Sequence, residues 1–177
     1  MKSKVISLSA ISASLVAISL TVGAYFEIAD LCAVVFSAVF VTLPLYLKSY
    51  KGCLLSYLAG GVIAFLCSGF NIMSLVFPSY FAFFGVYPIV KSKMQEKSLN
   101  KIIAFFIGLV WFFAVAYGVY FYYTLLMGNV LSGLPKWVTD YVLILLAPLS
   151  AIIFLVFDRF VFVMRIFTDR YLSKIIK

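Results

Sequence analysis

The sequence predicts an all-α integral membrane protein, folded as a bundle of six transmembrane helices with both termini in the cytoplasm. Hydrophobic residues make up 66% of the 177-residue chain and charged residues only 11%. A soluble domain, by contrast, is nearly half apolar and about a quarter charged. Apolar runs of about 20 residues, the length that spans a bilayer, alternate with short polar breaks. Basic residues fall almost entirely in every second break, which indicates the orientation.

The apolar runs divide a single membrane domain, residues 1–177, into its predicted spans. These lie at 5–26, 28–47, 53–70, 74–90, 102–127 and 138–158. The fourth span is short, with Pro78 and Pro88 near its ends. The fifth is long and rich in aromatic residues, so we expect it to tilt or to extend beyond the bilayer.

The distribution of lysine and arginine predicts the orientation. Of the 14 basic residues, 13 lie at the two termini and in the 2–3 and 4–5 loops, and only Lys136 lies in another loop. Because basic residues favour the cytoplasmic side, both termini are predicted there, and six spans fit better than five or seven. Orientation and contact with anionic lipid explain the net charge of +8, so no nucleic-acid partner is expected.

The first span begins like a signal peptide. It continues to Phe26 without a small-residue cleavage motif before a polar region, so we interpret it as a retained helix. Small residues recur along it at spacings of three and four, at Ser7, Ala10, Ser14 and Ala17, and Ala13 pairs with Ala17. Such a stripe indicates close helix packing in lipid. Packing within the bundle and packing against a partner subunit both remain open.

The fourth span ends in FFGVYPIVKSK, residues 83–93. Pro88 removes one backbone hydrogen bond and clashes with the carbonyl of Phe84, while Gly85 allows a bend. Tyr87 and the lysines that follow are typical anchors at a cytoplasmic membrane edge. The stretch therefore predicts a bent and anchored helix end, and a mechanistic hinge at Gly85, Tyr87 and Pro88 is a further hypothesis.

The sixth span has two alternative registers. In the one given above, Asp158 lies at the cytoplasmic edge, and 159–177 forms a basic amphipathic helix on the membrane or against a partner. If the span is 146–166 instead, Asp158 is intramembrane, where an ionisable group is a functional candidate. Trp137 as an interfacial anchor and Pro148 as a kink within the helix favour the first register.

Few polar residues lie on the predicted outer face, and these are the candidates for contacting a ligand. They are Glu27, Asp30, Asn71, Asn129, Trp137 and Asp140. Three carboxylates against one lysine predict a mildly acidic mouth.

No set of residues suited to catalysis is evident in the sequence. The chain has no histidine, no phosphate-binding loop and no hydrolase or zinc-protease motif. Cys32, Cys53 and Cys67 lie in apolar runs without CxxC spacing, which indicates packing rather than disulfide or metal binding. We therefore expect no catalytic residue, no metal, no cofactor and no enzymatic activity.

Six short helices, cytoplasmic termini and the Ala13–Ala17 pair resemble the substrate-binding S component of energy-coupling-factor (ECF) vitamin transporters, which are proteins of bacterial cytoplasmic membranes. The stretch FFGVYPIVKSK and a later F-x-x-F-D-R at 154–159 resemble, more narrowly, a group of small Firmicute membrane proteins that are S-component-like.

The resemblance implies a function and its partners. Ala10, Ala13 and Ala17 would pack against a separate coupling membrane subunit, which two ATPases drive, and the S component would topple in the membrane to release its ligand. The ligand, a small molecule such as a vitamin or a precursor, would bind among the polar residues of the outer face.

A different class of function also fits the helix layout, which is similar to that of the small rod-shape-determining membrane protein. Such a scaffold would bind cell-wall or cytoskeletal machinery through the basic C-terminal tail and would bind no ligand.

Overall fold

The computed structural model of the protein describes residues 3–96, 100–127 and 136–175, and no strand occurs among them. Seven α-helices follow each other in these ranges: α1 Ser3–Tyr25, α2 Asp30–Val41, α3 Tyr50–Cys67, α4 Val76–Ser79, α5 Tyr87–Glu96, α6 Lys101–Met127 and α7 Lys136–Ile175. Two 3₁₀ turns, Glu27–Ala29 and Leu43–Leu47, precede and follow α2.

Five helical segments of the described chain are long and apolar enough to cross a membrane. They are Ser3–Tyr25, Asp30–Leu47, Tyr50–Cys67, Ile102–Leu126 and Ile144–Thr168. Lengths of 18 to 25 residues match the thickness of the hydrocarbon core. The predicted class, an all-α multi-pass membrane protein, is therefore confirmed.

The segment predicted as the fourth span, 74–90, forms three consecutive helical pieces. Helix α4 passes into a π-helical turn, Tyr80–Phe84. There the backbone amide of Gly85 donates to the carbonyl five residues before it, at 3.0 Å. The α-helical pattern resumes in α5, whose second residue is Pro88. A proline ring at this position would clash with a carbonyl of a regular helix, which explains why the pattern is interrupted here.

The sixth predicted span and the predicted C-terminal amphipathic helix form one continuous helix, α7, of 40 residues. No glycine or proline follows Pro148 in the sequence of α7, so the helix contains no residue near Asp158 that would break its backbone hydrogen bonds. At 1.5 Å per residue this helix is about 60 Å long, twice the roughly 30 Å of a bilayer core. Its apolar part in the described chain, Ile144–Thr168, contains Asp158.

The first three helices pack closely through small residues. A Cβ on Gly60 of α3 would lie 2.6 Å from Val16 Cγ1 and 3.0 Å from the carbonyl oxygen of Ala13, so only glycine allows this approach. The Ser56 hydroxyl donates to the carbonyl oxygen of Ser9 at 2.9 Å, which joins α3 to α1. Close backbone contact and serine hydrogen bonds are the interactions that hold helices together in lipid.

Aromatic rings form the core between the remaining helices. Phe83 of the π-helical turn is fully buried and stacks on Tyr87 with a centroid distance of 4.7 Å. Around it lie rings from α6 and α7, namely Trp111, Phe112, Phe154 and Phe157. The Phe83 ring therefore connects the interrupted fourth segment to both long helices.

Candidate functional site

The two ends of the bundle differ in charge. One end, called here the acidic end, contains Asp30 and the connection 68–75. Hydrogen bonds join neighbouring segments at this end: Tyr25 donates to the carbonyl of Cys67 at 3.0 Å and Tyr122 to that of Ile72 at 2.8 Å. The opposite end, the basic end, contains Lys48, Lys51, Lys91 and Arg165.

A cavity of about 440 Å³ opens between α2, α4, α6 and α7 in the acidic half. We call it the chamber. Its wall has two polar side chains, Asp30 and Ser79. The remaining lining residues are apolar: Ile28, Leu31, Val34, Leu75, Val76, Phe84, Phe112, Val115, Ala116, Val119, Leu146 and Ile153. A volume in the range of roughly 300–1,000 Å³, apolar walls and few polar groups are typical of small-molecule sites.

A second space of about 600 Å³, the vestibule, adjoins the chamber and is more polar. Its wall includes Asn71, Ser74 and Tyr123, and it shares Asp30 and Leu75 with the chamber. Asp30 therefore stands at the boundary between a polar space and an apolar one.

Asp30 begins α2 and so lies at the N-terminus of a helix, the end that carries a partial positive charge. No lysine or arginine occurs among the described residues that line the two spaces. Asp30 is the acidic residue that the described walls of the chamber and the vestibule share.

Two of the residues predicted to contact a ligand, Asp30 and Asn71, lie in the wall of the vestibule. Glu27 lies in the 3₁₀ turn before α2, but its side chain falls outside the described part. Asn129 is outside the described residues altogether. Trp137 and Asp140 belong to the first turns of α7, and their side chains are not described.

Sequence reasoning missed the walls of the chamber, which come mainly from α6 and α7. The wall on this side is formed by Val115, Ala116, Val119 and Leu146. Sequence cannot identify them, because residues that face a cavity are of the same apolar types as residues that face lipid. Besides Asp30, Ser79 is a polar residue of the described chamber wall that could have been noticed, because it is a hydroxyl residue in an apolar segment, directly after Pro78.

A largely buried polar cluster lies farther toward the basic end, between α5 and α7. Asp158 Oδ1 accepts a hydrogen bond of 2.6 Å from the Tyr87 hydroxyl and forms an ion pair with the Lys91 ammonium. The side chains of Lys91 and Asp158 are only 19% and 15% exposed. A charge inside an apolar segment is costly unless it is paired, and here the two charges and one hydroxyl satisfy each other.

Arg165 and Ser92 extend this contact between α5 and α7. Arg165 Nη1 donates to Ser92 Oγ at 2.7 Å, and the Ser92 hydroxyl donates to the carbonyl oxygen of Pro88 at 2.8 Å. The two sequence motifs singled out above, residues 83–93 and 154–159, therefore pack directly against each other. The aromatic core and this cluster together fill the bundle between the chamber and the basic end.

The small residues of α1 have two different environments. Ala13 and Ala17 are buried inside the bundle, and Ala13 lies against Gly60 of α3. Ala10 is exposed, together with Ser7 and Ser14 on the same side. Within the described chain, Ala13 and Ala17 are therefore buried by other helices, whereas the side chains of Ser7, Ala10 and Ser14 stay exposed.

Comparison with known proteins gives no further assignment: no protein-family model matches the chain, and neither the curated proteins nor the solved structures include a significant match.

Proposed function

We propose that the chain is the substrate-binding subunit of an ECF-type importer in a bacterial cytoplasmic membrane. It captures a small molecule from outside and passes it inward together with a coupling membrane subunit and two ATPases. The observation that supports this most is the chamber, a cavity of about 440 Å³ with apolar walls and a carboxylate at its boundary. A small-molecule site is what a binding subunit needs and what a pure scaffold does not.

The proposed topology places this chamber toward the outside. We take the fourth crossing to be α4, the π-helical turn and α5 together, which makes six crossings with both termini in the cytoplasm. In support, Lys91 near the end of that segment pairs with Asp158 at the basic half, whereas Asn71 before it lines the vestibule. Basic residues favour the cytoplasmic side, so the acidic end faces outward.

A subunit that depends on partners fits better than a transporter that works alone. Between the chamber and the basic end, the described interior is filled by stacked rings around Phe83 and by the Tyr87–Asp158 contact. Release of a ligand inward would therefore require these groups to move, and we propose that another subunit drives this rearrangement. The sequence has no phosphate-binding loop with which to use ATP itself.

The surface for the coupling subunit is proposed on α1. Ser7, Ala10 and Ser14 are exposed, and small residues at this spacing allow a second helix to approach closely. Ala13 and Ala17 would support this surface from inside the bundle, since both are buried.

A membrane scaffold remains the second candidate, because one observation favours it. On the C-terminal part of α7, Phe162, Val163 and Phe167 are exposed beside the basic residues Arg165 and Arg170. A basic amphipathic surface of this kind suits contact with a membrane or with a partner.

One experiment distinguishes the importer subunit from the scaffold. The protein is purified from native membranes through a C-terminal tag and examined by native mass spectrometry. The importer predicts co-purifying ATPases, a coupling membrane protein and a small bound mass. That mass should disappear in Ala116→Trp, which fills the chamber, and remain in Gly118→Ala, whose added Cβ meets nothing within 4 Å. Cell-wall machinery with no bound mass in the unaltered protein would favour the scaffold and contradict the importer.

A further inference from the structure

The walls of the chamber indicate the chemical class of the ligand. We infer that the chamber takes an uncharged, mainly hydrocarbon molecule with an aromatic ring, and that this ring lies against Phe84 and Phe112. The inference rests on the proposed binding function and deepens it, because it specifies what the site selects.

The composition of the walls favours hydrocarbon over a polar ligand. Twelve of the fourteen described residues that line the chamber are apolar, and the other two are Asp30 and Ser79. A sugar or a peptide would lose the water around its many polar groups and would find few partners here. Each group left without a partner weakens binding by about tenfold. A hydrocarbon body has no such groups and gains from leaving water.

The walls also disfavour a charge on the part of the ligand that enters the chamber. No lysine or arginine occurs in the described lining, so an anionic group would meet no cation there. Asp30 already has an interaction within the protein, so it does not stand as a free partner for a cationic group. An ion of either sign would therefore give up its hydration with little compensation.

Aromatic rings form the inner end of the chamber. Phe84 and Phe112 line it, and their rings meet edge to face with a centroid distance of 6.0 Å. Both rings also contact Phe83 in the aromatic core. Because aromatic rings favour edge-to-face and offset stacked contacts, a ring of the ligand can extend this core by one member. The inner end of the chamber therefore selects an aromatic ring.

Four probes with the same number of carbon atoms test the inference: 2-naphthylmethanol, 2-naphthylmethylamine, 2-naphthoate and decahydro-2-naphthylmethanol. At pH 7 the two alcohols are uncharged, the amine is a cation and the naphthoate is an anion. Each polar group is within one carbon of the ring, so it must enter the chamber with the ring. Binding is measured by equilibrium dialysis against the full chain in phosphatidylcholine nanodiscs, with empty nanodiscs subtracted.

The probes separate the effect of charge from the effect of the aromatic ring. We expect 2-naphthylmethanol to bind at least about tenfold more tightly than either ion, because a charge must leave water to enter the chamber. Phe112→Leu keeps the wall apolar and removes one ring. It should weaken the binding of 2-naphthylmethanol by about threefold to tenfold, as loss of a contact between aromatic rings predicts. Binding of the decahydro alcohol should change by no more than about twofold.

Variants of α6 show whether the probes bind in the chamber. Ala116→Trp fills it and should weaken the binding of 2-naphthylmethanol at least about tenfold. Gly118→Trp is the matched control, because it adds the same ring to α6 at a position whose Cβ meets nothing within 4 Å. Should Ala116→Trp fail to fold, Ala116→Leu gives the same comparison with a smaller loss of about threefold.

The possible outcomes separate this inference from the proposed function. An ion that binds as tightly as 2-naphthylmethanol, or a Phe112→Leu effect of equal size on both alcohols, would overturn the inference. If the Ala116 variants still weaken binding in those cases, the chamber remains a binding site and the proposed function stands.

Two further outcomes also decide. If none of the four probes binds saturably, the inference is overturned, and co-purification of ATPases and a coupling protein decides the proposed function independently. Saturable binding that neither Ala116 variant weakens would remove the chamber as the site and overturn both.

Discussion

The hydroxyl of Tyr87 donates a hydrogen bond of 2.6 Å to Oδ1 of Asp158, across 71 positions of sequence. The same carboxylate oxygen is paired with the ammonium of Lys91. Tyr87 also stacks on Phe83, so one side chain joins the aromatic core to the buried charges. This contact fixes the interrupted fourth segment against α7.

Loss of one charge of the pair should destabilise the protein strongly. Asp158→Asn leaves the largely buried Lys91 ammonium without a counter-charge, and we expect the free energy of unfolding to fall by about 1–3 kcal/mol. The double variant Lys91→Met with Asp158→Asn should be more stable than Asp158→Asn alone, because no isolated charge remains. Reversible unfolding in mixed detergent micelles measures both, and strictly additive losses would contradict the pairing.

The Tyr87 ring depends on a glycine in α6. A Cβ on Gly108 would lie 2.6 Å from Tyr87 Cε2 and 2.9 Å from Phe154 Cζ. We expect Gly108→Ala to lower the free energy of unfolding by about 1–3 kcal/mol, as overpacking of a core does. Gly118→Ala is the matched control in the same helix, since its Cβ meets nothing within 4 Å. Equal effects at both positions in the same unfolding assay would refute this packing.

Larger side chains on the two faces of α1 should have different effects on the free energy of unfolding. Ala13→Leu places a larger side chain against Gly60 and should cost about 1–3 kcal/mol of unfolding free energy. Ala10→Leu lies on the exposed side and should change it by no more than about 0.5 kcal/mol. If Ala10 faces the coupling subunit, Ala10→Leu should still reduce co-purification of that subunit. Unchanged co-purification would remove α1 as the coupling surface.

Cysteine labelling tests the proposed orientation of the fourth segment. In a background with Cys32, Cys53 and Cys67 replaced by alanine, Met73→Cys should react with a membrane-impermeant maleimide in intact cells. Gln95→Cys should react only after the cells are lysed. Both positions are exposed and lie at the two ends of the segment. Labelling of both in intact cells would mean that the segment does not cross the membrane.

The class of the protein follows from sequence alone because hydropathy and length are local properties. The apolar runs near 5–26 and 102–127 have bounds close to those of α1 and α6. The interruption of the α-helical pattern before Pro88 follows likewise from the chemistry of one residue, since proline cannot continue a regular hydrogen-bond ladder. Asp30 and Asn71, which line the vestibule, could be singled out in the sequence because polar residues are rare in such a chain; their contact with a ligand stays a prediction.

What sequence could not supply is the pairing of distant segments. Asp158 has two possible depths in an apolar helix, and only the positions of Tyr87 and Lys91 show that its charge is compensated. The chamber was missed for a related reason. Val115 and Ala116 differ from lipid-facing neighbours only in what lies opposite them, which depends on how α6 and α7 are placed.

The close contact of α1 with α3 has a consequence for biogenesis. Gly60, Val16, Ser56 and Ser9 all belong to the first 67 residues of the chain, so every group in this contact has been translated before α6 begins. Segments of a chain generally fold in the order of synthesis. We therefore expect the first three helices to assemble at the translocon into a template onto which α6 and α7 later dock, and the chamber to form only when synthesis is almost complete.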